Sequence, residues 1–221
     1  MAKAKSMEQV VQKVLTGIKA PSTKGSRSDT ILKRFKQHAR FETLSNPHLE
    51  RMLDAATRFA ASVNYIHPPY WLTICGDSGI GKTHIARAVH RQFMNTNRFE
   101  PKCADHERNR VVGNTEWFCD WRKFADDIRS GGYERLVEDA CDEWFVVVDD
   151  FGAERDPSGF IASAADRIMN ARRDKWTLIT TNLSLKNISE RMDVRIASRL
   201  VRDRNEVVEV EAQDYALVRK V

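Results

Sequence analysis

Gly76-Asp-Ser-Gly-Ile-Gly-Lys-Thr83 decides how this chain is read. It fits G-x-x-x-x-G-K-[ST], the spacing of a phosphate-binding P-loop. Its glycines let the backbone turn with φ > 0 and leave no Cβ in the way. The loop N–H groups can then point at phosphate oxygens, and a following helix N-terminus adds partial positive charge. Lys82 would reach the β- and γ-phosphates, and the Thr83 hydroxyl would ligate Mg²⁺. The flanks supply the context the motif needs. Residues 70–75, Tyr-Trp-Leu-Thr-Ile-Cys, are apolar and β-prone. Residues 83–90 are good helix formers with Ile85, Ala88 and Val89 on one face.

At 221 residues the chain can bury one substantial core. The longest uncharged run, residues 59–76, is broken by Asn64, His67, Pro68 and Pro69, so no segment reads as transmembrane. The N-terminus has basic residues but no apolar stretch of a secretory signal. Four scattered cysteines (Cys75, Cys103, Cys119 and Cys141) form no C-x-x-C pair. That argues against a zinc site or disulfide framework and for a cytoplasmic protein. Charge is unevenly placed. Residues 1–40 hold ten Lys/Arg and two acids, a net +8, against +5 for the whole chain, which leaves −3 for residues 41–221. A basic segment of this kind contacts nucleic acid or an acidic partner, or stays a solvated tail.

The organisation follows from periodicity. Residues 7–19 read as a short amphipathic helix, residues 20–28 as a flexible linker, and residues 30–40 as a basic helical patch. A helix is expected over residues 48–63. Residues 95–114 are polar and loop-like. Strands are expected over residues 70–75, 115–119, 144–148, 176–181 and 207–210. Helices are expected over residues 83–90, from an Asp120 cap to residue 128, and over 133–141, 157–173, 184–192 and 193–201. Strands alternating with helices imply a parallel sheet covered on both faces.

Three further positions carry chemistry. The apolar strand Trp144-Phe-Val-Val-Val148 ends in Asp149-Asp150. Asp149 there would hold Mg²⁺ beside Thr83, directly or through water. Asp150 would polarise an attacking water; the alternative is a capping or supporting carboxylate. Asn182 ends the next strand and would bond the γ-phosphate or the water; the alternative is a turn residue. Arg195 and Arg199 share one helix face. Arg199 would reach a neighbouring subunit's nucleotide, the alternative being a surface salt bridge.

Taken together, GDSGIGKTHIARA, VVVDDFGAE, TLITTNL and DVRIASRL resemble the Walker A, Walker B, sensor 1 and arginine-finger motifs of AAA+ ATPases. The variant resembles the DnaC/DnaI helicase-loader and IstB transposition-helper group. His84, the DDFG-x-E form and the SRL ending carry that likeness, which covers residues 41–219. It implies a five-stranded parallel α/β P-loop NTPase core, with ATP and Mg²⁺ as ligands. Gly76, Asp77, Ser78, Gly79, Ile80, Gly81, Lys82, Thr83 and His84 would hold the nucleotide, and Thr83 and Asp149 the metal. Lys82, Asp150, Asn182 and Arg199 would act in hydrolysis.

The resemblance further implies a replicative helicase as partner, single-stranded DNA contact and self-association with Arg199 acting in trans. The expected division is a basic extension over residues 1–40 and an ATPase core over residues 41–221. Departures are expected too. Residues 1–40 are short for a helicase-gripping domain and lack Cys. No complete C-terminal lid is expected, and Arg219 is a doubtful stand-in for a sensor 2 arginine. Asp150 replaces the Glu common in AAA+ enzymes and is one methylene shorter, so slow hydrolysis is expected. An IstB-like helper on duplex DNA shares every core motif. A small P-loop kinase fits less well, given Asn182, Arg199 and the Asp pair. No N-K-x-D motif supports a GTPase.

Overall fold

The computed structural model of the chain describes residues 35–36, 39–63, 68–96 and 117–218. The helix, linker and most of the basic patch expected over residues 7–40 lie outside these residues, as do Arg219 and nearly all of the polar 95–114 stretch. The elements run α1 (Pro47–Ser62), β1 (Trp71–Gly76), α2 (Lys82–Thr96), β2 (Phe118–Asp120), α3 (Trp121–Asp127) and, after a π-helical turn (Ile128–Gly132), α4 (Tyr133–Asp142). There follow β3 (Phe145–Asp149), α5 (Phe160–Ala171), β4 (Trp176–Thr181), α6 (Leu185–Arg191), α7 (Val194–Leu200), β5 (Glu206–Val210) and α8 (Tyr215–Val218).

The five strands form one all-parallel sheet in the order β2-β3-β4-β1-β5. Burial follows position in that order. β3 and β4 are buried at every residue, as strands covered on both faces must be, whereas edge strand β5 alternates. Side-chain direction alternates along each strand and divides the core into two layers. Leu72, Ile74, Val147, Leu178 and Val208 pack against α1 and α2. Trp71, Val146, Val148 and Ile179 pack against α3 to α7. Phe35 and Ala39, upstream of residue 40, are buried in the first layer.

Local capping matches the sequence. Asn46 Oδ1 accepts from His48 N (2.8 Å) and Leu49 N (3.3 Å). Asp120 Oδ1 accepts from Lys123 N at 3.2 Å, and Ser184 Oγ accepts from Asn187 N at 3.2 Å. Three elements depart from their expected bounds: β2 runs Phe118–Asp120 rather than over 115–119, α2 continues to Thr96, and a later helix is shorter than expected. The helix expected over residues 157–173 runs only from Phe160 to Ala171. Gly159 stands left-handed at φ 72°, and Asp156 Oδ2 accepts from Ala162 N at 2.8 Å, so residues 157–159 form a turn before the helix. Arg172 then leaves helical geometry at its C-terminus.

Arg172 is the unexpected core residue: it is fully buried. Its guanidinium donates to Thr177 Oγ1 (2.9 Å), Ala140 O (2.8 Å), Glu143 O (2.8 Å) and Trp176 O (2.6 Å). Its own carbonyl accepts from Trp71 Nε1 at 3.0 Å. One side chain thereby ties the end of α4 to the start of β4. Burial pulls its pKa down to about 9. Arg172→Met would leave these acceptors unsatisfied. An expected loss of about 3–5 kcal/mol in urea unfolding follows, with Arg172→Lys falling between that and wild type because an ammonium lacks the planar fork.

Candidate nucleotide site

The site lies at the C-terminal ends of the strands, where open parallel sheets place ligands. β4 sits between β1 and β3, so its end is flanked by the P-loop on one side and the acidic pair on the other. Registry brings Cys75 beside Thr181 and Val148 beside Ile179. Four of the expected residues therefore converge.

Lys82 opens α2 and is 5% exposed. Its Nζ donates to Gly76 O (2.8 Å), Asp77 O (2.6 Å) and Asn182 Oδ1 (2.7 Å). Desolvation lowers its pKa, opposed by the nearby carboxylates of Asp150, Asp149 and Asp77. Thr83 Oγ1 donates to Asp149 Oδ1 at 3.0 Å, and Thr180 Oγ1 donates to the same oxygen at 2.5 Å. Burial raises the pKa of Asp149, and the two hydroxyls work against that rise. A hydroxyl and a carboxylate side by side form the hard oxygen donor set that suits Mg²⁺. Gly79 and Gly81 stand at φ 81° and 95°, a backbone that glycine adopts without strain.

Asp150 stands left-handed at φ 57°, a conformation that costs a non-glycine residue about 1–2 kcal/mol. The surroundings enforce it. Its N–H donates to Thr180 Oγ1 (3.0 Å), Phe151 N donates to Thr180 O (2.8 Å), and Ala153 N donates to Asp150 O (3.1 Å).

Sequence reasoning missed a strap across the outer side of the loop, built from both flanks of the core. Tyr215 N donates to Gly79 O at 3.0 Å, and Tyr215 Oη donates to Glu42 Oε2 at 3.1 Å. Asp214 packs against Gly79 where a Cβ would stand. A Cβ on Gly81 would lie 2.6 Å from the Phe41 ring. His84 Nε2 lies 2.6 Å from Ala39 O. Arg40, Leu44 and Ser45 are all left-handed, so this segment holds a shape its residues do not favour. The loop glycines are thus required twice, on the phosphate side and on the strap side.

Arg199 lies elsewhere. It shares a cleft with Pro68, Pro69 and Asn205, which precede β1 and β5, at the opposite end of the sheet from the P-loop. A six-residue strand spans roughly 20 Å. Arg199 bonds Asp166 and lies 3.5 Å from Asn170 Oδ1, while Arg195 pairs with Asp193 at 3.2 Å. Both arginines are therefore ion-paired within the chain, Arg195 with Asp193 and Arg199 with Asp166, which is the salt-bridge arrangement weighed as the alternative for Arg199.

No protein-family model matches the chain, and no curated protein sequence does. Solved structures do. The DnaC helicase loader superimposes with a TM-score of 0.60 over 81% of this chain and 99% of that one, at 21% identity. DnaI gives 0.62 over 86% and 99%, at 14% identity. The replication initiator DnaA, bound to AMPPCP and single-stranded DNA, gives 0.51 over 74% of this chain and 46% of that one, at 14% identity. The fold is the AAA+ fold of these proteins. Among the described residues no helix is long and apolar enough to cross a membrane.

Two outcomes are expected of the site. Lys82→Ala leaves two loop carbonyls and Asn182 without their donor, so without any nucleotide it should lower stability by about 1–2 kcal/mol, read by thermal melting. Burial pushes the Cys75 thiol up to about 12 and also raises that of Cys119. Alkylation at pH 8, mapped by mass spectrometry, should leave both unlabelled in the native protein and label both once it is denatured.

Proposed function

We propose that the chain is an ATP-binding, slowly hydrolysing AAA+ switch that loads a replicative helicase onto DNA. The observation that carries the nucleotide reading is the convergence of Lys82, Thr83, Asp149 and Asn182 through contacts of 2.7–3.0 Å. The helicase-loader reading draws on the fold shared with DnaC, described as a helicase loader. A nucleotide and single-stranded DNA as ligands draw on DnaA, which was solved with both.

In this reading residues 76–84 cradle the triphosphate. Lys82 exchanges its loop contacts for phosphate oxygens while Asn182, its present partner, turns to the γ-phosphate or the attacking water. Thr83 and Asp149 hold Mg²⁺, which neutralises charge on the phosphates when bound. Asp150 accepts the proton of the water or orients it. Its short side chain sets its carboxylate farther back than a Glu would reach, hence the slow turnover. Arg199 completes a neighbouring subunit's site. The basic residues of the 1–40 segment contact the helicase or DNA, while its Phe35 and Ala39 pack on the core of residues 41–221 that forms the switch.

Asp150 separates function from stability. Asp150→Gly removes the left-handed strain and a charge beside Asp149. It should raise stability by up to about 1 kcal/mol while hydrolysis falls to background. Loss of stability with retained hydrolysis would assign Asp150 a supporting role instead. The partner is tested by capture of a purified replicative helicase hexamer by wild type and Lys82→Ala, each with and without ATP. Capture only by ATP-bound wild type is expected. Equal capture by all four would remove the nucleotide switch from the proposal.

A further inference from the structure

Arg199 sits in a surrounding that its proposed role does not explain. Its backbone is anchored: Asn205 Nδ2 donates to Arg199 O at 2.7 Å, and Asn205 Oδ1 accepts from Trp71 N at 2.8 Å. The end of α7 is thereby pinned to the start of β1. Any reach toward another molecule must come from side-chain rotation. That side chain is 12% exposed. One Nη bonds Asp166, and the other lies 3.5 Å from Asn170 Oδ1. Asp166 and Asn170 stand four residues apart on α5, so one helix face presents both acceptors to the same guanidinium. Beside it opens a cleft of about 290 Å³ lined by Arg173, Arg202 and Arg204 as well as Arg199. Asp174 and Asp203 also line this cleft, which keeps a net positive charge of two, and among its described arginines Arg199 is the one whose guanidinium is ion-paired, to Asp166.

We propose that Asp166, with Asn170, is a restraint on Arg199. It keeps the guanidinium withdrawn until the nucleotide of a second copy of this chain competes for it. The inference rests on the trans role given to Arg199 above. A γ-phosphate carries more charge than Asp166 and offers the same two-oxygen acceptor geometry, so it displaces Asp166 once it enters the cleft. The subunit interface then forms only when the neighbour is loaded with a triphosphate, because an empty or diphosphate-bound neighbour offers too little to displace Asp166. Asp166 is a positioning residue in this scheme: it touches Arg199 and not the nucleotide.

The test is sedimentation velocity of the full chain against protein concentration, with Mg²⁺ and AMPPCP or with ADP. Four proteins are compared: wild type, Asp166→Asn, Arg199→Ala and the double variant. Asp166→Asn keeps the shape but drops the charge. It should lower the concentration for half-maximal assembly about three- to tenfold, the size of a partly buried charged contact. It should also allow assembly with ADP. The double variant should behave as Arg199→Ala, because the effect runs through that side chain. Asp166→Glu, which retains the charge, should stay within about twofold of wild type.

An unchanged or raised midpoint for Asp166→Asn, with Arg199→Ala defective, overturns the restraint and leaves the trans finger standing. Wild-type assembly by Arg199→Ala overturns the finger and the restraint together. Should Asp166→Asn fail to fold, Asn170→Ala takes its place. A smaller shift in the same direction is then expected, and no shift overturns the inference.

Discussion

A single carboxylate oxygen holds the working end of the sheet together. Asp149 Oδ1 accepts from Thr83, the last residue of the P-loop, and from Thr180 on β4. Three segments distant in sequence meet at that atom. Thr180 goes on to accept the N–H of Asp150, so the same contact fixes the left-handed turn that aims the second carboxylate. The arrangement is expensive. Asp149 is buried, and its pKa rises because water is excluded from it. A desolvated carboxylate and a strained neighbour at one place are consistent with the chemistry proposed for this corner of the sheet.

The sheet exists to make that meeting possible. With β4 inserted between β1 and β3, Asn182 reaches Lys82 from one side while Thr180 reaches Asp149 from the other. Arg172 holds the far end, where β4 begins, so β4 is fixed at both termini by polar contacts and along its length by apolar ones. The rigid strand ends contrast with the strap of residues 39–46 and 211–218. That strap crosses the loop through a few hydrogen bonds and an aromatic ring.

Much of this was legible in the sequence. The central strands are continuous apolar runs, and a run such as Val146-Val147-Val148 has no other home than a doubly covered sheet. The P-loop spacing and the Asp pair point to one corner of the sheet, and there the structure brings Lys82 to Asn182 and Thr83 to Asp149. The rest was hidden for definite reasons. β2 is only three residues long, too short to show a period. Pro157 is a good first helical residue and favours an earlier start for α5, and only tertiary contacts such as Asp156 with Ala162 N select the Gly159 turn. A buried Arg172 contradicts the usual exposure of arginine. The strap joins residues more than 130 apart, such as Tyr215 with Glu42 and Gly79. No local pattern announces such contacts. Arg199 was found as a candidate, but its partner Asp166 lies on another helix and carries no signal of its own.

Titration of the full chain with a fluorescent adenine nucleotide, with and without Mg²⁺, tests the central claim most directly. Saturable binding by wild type that tightens with Mg²⁺, and loses that Mg²⁺ dependence in Thr83→Ala, a variant that still folds but melts lower because Asp149 loses a donor, is the predicted result. Absence of saturable binding by folded wild type, or an unchanged Mg²⁺ dependence in Thr83→Ala, would contradict the account.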